Sequence, residues 1–211
     1  MSGLTELQAE VARLFFSLPA SDGFLLAGGG ALLACGLTTR PTEDLDFFGE
    51  RGRADVAAAR DQLEAAAVAR GWTITRVQDS GTFIRLHLSG DGEVIVDLAI
   101  DVAANRPPVV TIVGPTFDPE ELAGRKLAAL FSRAEARDFA DVYVLAQRFS
   151  KELLLERAAE DDLGFDHRVL AEMMRTLDRF TDDELPVASS NVDAVRAFFG
   201  DWADQLGRAS S

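Results

Sequence analysis

Residues 24–48 read FLLAGGGALLACGLTTRPTEDLDFF, and this stretch decides the fold. Phe24 to Ala27 is a short apolar run, as in a buried strand. It ends in Gly28, Gly29 and Gly30, where the backbone can come close to a phosphate and point N–H groups at it. A short helix is expected over Gly30 to Cys35, then a second strand over Leu45 to Phe48. In an extended strand, residues i and i+2 share a face. Asp44 and Asp46 therefore project together while Leu45 turns to the core. Phe47 and Phe48 bury that strand and leave its carboxylates needing a partner. Two carboxylates on one face repel unless a cation sits between them. Hard divalent ions do this and bridge to substrate phosphates. A glycine turn followed by a carboxylate pair is what transfer from a nucleoside triphosphate requires.

Working outward, the order is helix, strand, helix, strand, helix and then several strands. Leu4, Leu7, Val11, Leu14, Phe15 and Leu18 recur at helical spacing, and Pro19 closes that helix. The same residues, with Glu6 and Glu10 among them, predict a helix rather than a signal peptide. Residues 53–70 are alanine-rich and end at Gly71, which suits a C-cap. Trp72 to Val77, Thr82 to Leu88 and Glu93 to Leu98 read as strands, the last two joined by a turn at Ser89 to Gly92. The texture changes near residue 115. Asp118, Pro119 and Glu121 form a helix start, with Asp118 as N-cap. Helices follow over 119–132, 135–148, 150–160, 166–180 and 191–206. The expected fold is α+β: a mixed sheet with flanking helices over residues 1–115, then a helical region over 116–211.

The β-strand at Glu93 to Leu98 offers a third carboxylate, Asp97. If this strand neighbours the one bearing Asp44 and Asp46, Asp97 completes a cluster that holds two Mg²⁺ ions or activates the attacking hydroxyl. Asp101, four residues on, competes for that role. A second group is Lys126, Arg133, Arg137, Asp138 and Asp141, on two successive helices. Lys126 can neutralise charge on a leaving pyrophosphate, or it can simply form an interhelical salt bridge with Asp141. Periodicity alone favours the salt bridge.

The chain has 35 acidic against 21 basic residues, a net charge of −14. That argues against broad, sequence-independent nucleic-acid binding. A local basic strip on an acidic body is still compatible, and Arg76, Arg85, Arg125, Arg133 and Arg137 are its candidates. The single cysteine, Cys35, excludes an internal disulfide and fits a reducing compartment. No apolar run approaches a membrane span. A cytoplasmic protein with no membrane partner is expected.

The glycine motif with its Asp-Leu-Asp triplet, followed in order by Lys126, Arg137-Asp138 and Asp141, resembles the AbiEii-like nucleotidyltransferase toxins of the DNA polymerase β superfamily, and is similar to the compact MenT-type members. The resemblance covers most of residues 24–146. It implies a polymerase-β-like nucleotidyltransferase core and a toxin of a toxin–antitoxin system, with a cognate antitoxin as partner. It further implies an NTP substrate, Mg²⁺ or Mn²⁺, and transfer of NMP to the 3′ end of tRNA, which blocks aminoacylation. By position it makes Gly28 and Gly29, with Gly30, the phosphate-binding glycines. It makes Asp44 and Asp46 the metal pair, and Lys126 and Asp141 catalytic. Where many relatives have Gly-Ser, this chain has Gly29-Gly30. Transfer to a protein or small-molecule hydroxyl is the competing enzymatic reading, and a non-catalytic nucleotide-binding protein is the competing non-enzymatic one.

Overall fold

The computed structural model describes residues 3–209; the outermost ends of the two expected regions, 1–2 and 210–211, lie outside it. The chain divides into two compact units, one through Pro119 and one from Glu120 onward. The fold is α+β.

In the first unit, α1 (Glu6–Phe16) leads through a short 3₁₀ turn to β1 (Phe24–Ala27), α2 (Gly28–Ala34), β2 (Asp44–Glu50) and α3 (Val56–Ala69). Then come β3 (Thr73–Asp79), β4 (Phe83–Gly90), β5 (Gly92–Asp101), β6 (Val109–Thr111) and β7 (Gly114–Thr116). Among the described residues these seven strands form one sheet in the order β3-β4-β5-β2-β1-β7-β6. It is mixed: β2 runs parallel to β5 and β1 parallel to β7, while the other neighbours are antiparallel.

The alternation along β2 sets the two faces. Leu45 and Phe47 are fully buried. Phe47 packs on Phe15 of α1 with ring centroids 4.1 Å apart. α2 lies on the same face, where a Cβ on Gly30 would meet Leu45 and Leu26. Asp44, Asp46 and Phe48 take the opposite face, as the period of two requires.

Four elements of the first unit, α2, α1, β6 and β7, differ from the sequence expectation. α2 begins at Gly28 rather than Gly30, so the glycines are its first turn. Glycine's low helix propensity hides such a start. The first helix ends at Phe16, before Pro19, with Ser17 as its cap. The strands β6 and β7 are not anticipated; each has three residues, and Pro107, Pro108 and Pro115 break any alternation.

The second unit holds α4 (Pro119–Ser132, entered from the first unit), α5 (Ala136–Leu145), α6 (Lys151–Asp161), α7 (His167–Arg175) and α8 (Val192–Ala209). The expected helix over 166–180 tightens to 3₁₀ at Thr176–Arg179. Its core is aromatic: Phe139 of α5 meets Phe199 of α8 edge-on at 5.0 Å, and Trp202 is fully buried. Gly124 lets α6 approach α4, since a Cβ there would overlap Arg157. No helix among the described residues is long and apolar enough to cross a membrane.

Candidate active site

The carboxylate face of β2 is held from behind by residues that sequence reasoning did not single out. Thr5 and Gln8 form a capping box on α1: Gln8 N–H donates to Thr5 Oγ1 (3.1 Å) and Thr5 N–H to Gln8 Oε1 (2.9 Å). Gln8, itself buried, then donates from Nε2 to the carbonyl of Thr42 at 2.7 Å. Thr42 in turn donates its hydroxyl to Asp44 Oδ1 at 2.5 Å. A helix cap thus fixes the loop that aims the first carboxylate. The signal was present as a threonine two residues before an aspartate, a short-range side-chain pairing.

The glycines have separate tasks. Gly28 sits at φ +59°, in the left-handed region, and a Cβ there would overlap the Asp46 carboxylate. Its missing side chain is the space Asp46 occupies. A Cβ on Gly29 would press on Thr42 Oγ1 at 2.8 Å, and one on Gly30 on Leu45 at 3.1 Å. The triplet therefore packs against both carboxylates of β2, directly at Asp46 and through Thr42 at Asp44.

Asp97 lies on β5 beside Asp46 in parallel register. It is 4% exposed, and both its oxygens are taken: Arg85 Nε donates to Oδ1 at 2.8 Å and Arg85 Nη2 to Oδ2 at 2.6 Å. The Asp97 hydrogen bonds, with the charges of Asp97, Asp44 and Asp46, raise the Arg85 guanidinium above its ordinary range against the opposing effect of burial. Arg85 thus holds a fixed positive charge beside three negative ones. Among the described residues no three His, Cys, Asp or Glu side chains gather into a group that could hold a metal ion. Of the three carboxylates expected together, Asp46 and Asp97 stand side by side in register, and Arg85 holds both oxygens of Asp97. Asp101 sits at the far end of β5, in register with Glu50, about 13 Å along the strand from Asp97.

Asp44 and Asp46 by themselves fit a hard divalent ion. Both are partly exposed oxygen donors on one face, and such ions are commonly held by one or two carboxylates plus substrate phosphates.

In the second unit, Lys126 Nζ pairs with Asp141 Oδ2 at 2.9 Å between α4 and α5, both side chains buried. Asp138, also buried, accepts two bonds from Arg133 (2.9 and 3.0 Å) and caps α5 with Glu135. The five arginines expected to form a basic strip are all ion-paired within their own units. Arg76 bonds Glu64 at 2.6 Å, Arg85 holds Asp97, Arg125 meets Glu121 and Asp161, Arg133 holds Asp138, and Arg137 bonds Glu135 at 2.9 Å.

The family model described as nucleotidyl transferase AbiEii toxin, type IV toxin–antitoxin system, matches residues 12–208. The chain belongs to that family and is a nucleotidyltransferase. Membership implies an NTP substrate, usually a divalent metal, and an antitoxin partner. A search of curated proteins returned no match.

Among solved structures, a candidate nucleotidyltransferase from H. pylori superposes with a TM-score of 0.62 at 22% identity, covering 98% of this chain and 97% of the other. JHP933 from Helicobacter pylori gives 0.57 at 20% identity over 98% and 96%. MenT4, a nucleotidyltransferase toxin from Mycobacterium tuberculosis H37Rv, gives 0.53 at 18% identity over 95% and 92%. These likenesses share the fold.

Proposed function

We propose that this protein is a cytoplasmic toxin that transfers NMP from an NTP to the 3′ end of tRNA, with Mg²⁺ or Mn²⁺, and so blocks aminoacylation and translation. The observation that carries the reading is the Asp44–Asp46 pair on one strand face, with Asp46 seated in the space left by Gly28. Asp44 and Asp46 would hold the metal, which when bound would neutralise charge developing on the phosphates. Gly28 to Gly30 border the phosphate position. Lys126 takes up negative charge of the triphosphate, and Asp141 holds the lysine in place. The acceptor hydroxyl oxygen bonds the α-phosphorus, the bond to pyrophosphate breaks, and the hydroxyl proton leaves to solvent. Asp97 serves through Arg85, keeping one cation beside the carboxylates; a direct role at metal or hydroxyl requires that clamp to open. An antitoxin restrains the activity.

A second reading, transfer to a protein or small-molecule hydroxyl, is favoured by the ion-paired state of all five candidate arginines on a chain of net charge −14. The test supplies each α-labelled NTP, Mg²⁺ and purified tRNA, and reads 3′ extension on a sequencing gel. Labelled protein or small molecule with no extended tRNA moves the function to the second reading.

A further inference from the structure

A cavity of about 770 Å³ lies in the first unit, at the start of β1 and the end of β2. Its lining reaches the carboxylate face of the sheet through Phe48 and Leu25, and the other face through Phe24 and Phe16. Phe48 follows Asp46 by two residues and pairs across the sheet with Leu25, which also lines it. The near edge of the cavity is therefore about 7 Å along β2 from Asp46. Its floor is aromatic: the partly exposed Phe48 ring meets the buried Phe117 edge-on, centroids 6.5 Å apart. Its rim is polar, with Glu50, Arg53 and Arg106. The Phe48 ring, braced edge-on by Phe117 and accompanied by polar side chains in a cavity within the size range of small-molecule sites, offers one stacking face for one nucleoside.

Direction identifies which nucleoside. β1 runs toward Gly28, and Ala27 is paired with Asp46, so the glycines flank the carboxylates on one side and the cavity flanks them on the other. In an in-line displacement the attacking and leaving oxygens lie on opposite sides of the phosphorus. With the leaving pyrophosphate at the glycines, the attacking hydroxyl approaches from the cavity. We propose that this cavity is the acceptor subsite, holding the terminal nucleoside of the acceptor strand with its base stacked on Phe48. The proposal rests on the nucleotidyl-transfer reading above and narrows its acceptor to an unpaired nucleoside bearing a free hydroxyl.

The test is equilibrium dialysis of the full chain with labelled adenosine, cytidine, guanosine and uridine in turn, and separately with each NTP and Mg²⁺. Phe48→Leu keeps an apolar contact on Phe117 but removes the ring; Phe48→Trp restores a larger one. At least one nucleoside is expected to bind saturably to the wild type, roughly tenfold or more weakly to Phe48→Leu, and near normally to Phe48→Trp. NTP affinity is expected to stay within about twofold throughout. The acceptor assignment is overturned if no nucleoside binds, if Phe48→Leu binds as the wild type does, or if NTP affinity falls in step, which would give the cavity to the NTP's own base. Melting curves for each variant separate loss of the fold from loss of the ring. Failure of the underlying reading looks different: Phe48-dependent nucleoside binding with no NMP incorporated into any RNA would remove the transfer step and with it the acceptor role.

Discussion

Replacing Asp141 with leucine would strand the Lys126 ammonium inside the helical unit. The two charges lie 2.9 Å apart, with Lys126 8% and Asp141 1% exposed. At an effective dielectric of about 20, unit charges at that distance attract by about 6 kcal/mol. Removing both ions from water costs several kcal/mol each, so the intact pair nets little. A lone buried ion keeps its desolvation cost and loses the attraction. Each single substitution, Asp141→Leu or Lys126→Met, should therefore cost about 3–5 kcal/mol. For a chain of this length that is roughly 6–20 °C of Tm. The double variant exchanges both ions for apolar side chains and should return close to wild-type stability or above it. Catalysis should not return with it: all three variants are expected to lose roughly a hundredfold or more in NMP transfer. Thermal melts by circular dichroism, run beside the transfer assay, separate the two effects. A double variant that melts like wild type and transfers at the wild-type rate would refute the catalytic role of the lysine. One as unstable as either single variant would refute the account of the buried pair.

Asp46→Asn should abolish transfer while leaving Tm unchanged or raised, because it removes like-charge repulsion with Asp44; full activity in the folded variant rules out the metal pair. Gly28→Ala should disable the site, since its Cβ overlaps the Asp46 carboxylate, and should add about 1–2 kcal/mol of left-handed backbone strain, read by denaturant unfolding. Arg85→Gln, which strips the charged hydrogen bonds from Asp97, should cost about 1.5–3 kcal/mol, and adding Asp97→Asn should recover most of it; equal stability of the single and double variants would contradict the clamp. Asp166 caps α7 by accepting from the backbone N–H groups of Val169 and Arg168, and those bonds hold its carboxyl below the ordinary value of 3.8. A lowered folded value means stability that is present above pH 3.8 and lost as pH falls through the folded value. The stability advantage of wild type over Asp166→Ala should therefore shrink in acid and be flat above about pH 5, as checked by melts across that range.

Much of the site frame could be read from the chain because it is local. Strand, glycine turn, helix and strand follow within 25 residues, and the period of two alone places Asp44 and Asp46 together and Leu45 inside. What could not be read depends on pairing between distant segments. Counting outward from Asp91, Arg85 is six residues before and Asp97 six after, so hairpin symmetry puts them opposite each other. The turn at Ser89 to Gly92 is legible in the chain, but the Arg85–Asp97 pair emerges only on counting across it. Gln8 reaches Thr42 from another helix, and nothing in the local sequence of either marks that bond. The strand β7 is set by its place beside β1, and β6 by its pairing with β7, rather than by any apolar pattern of their own.

The parallel pairing of β7 with β1 bears on how the chain is made. Leu26 is synthesised early, but its partner Thr116 leaves the ribosome only about ninety residues later. Until then β1 has one neighbour, β2, and its other side is an open edge of apolar residues with unpaired backbone groups, which invites association with another chain. Pairing across such a separation is slow, and domains fold as units during synthesis. A nascent chain that stops short of Thr116 already carries Gly28 to Gly30 and the sheet carboxylates Asp44, Asp46 and Asp97, but on a sheet that is still open. Premature termination before that point should therefore leave an aggregating fragment rather than a weakened enzyme, and the toxin becomes competent only after its first unit is complete.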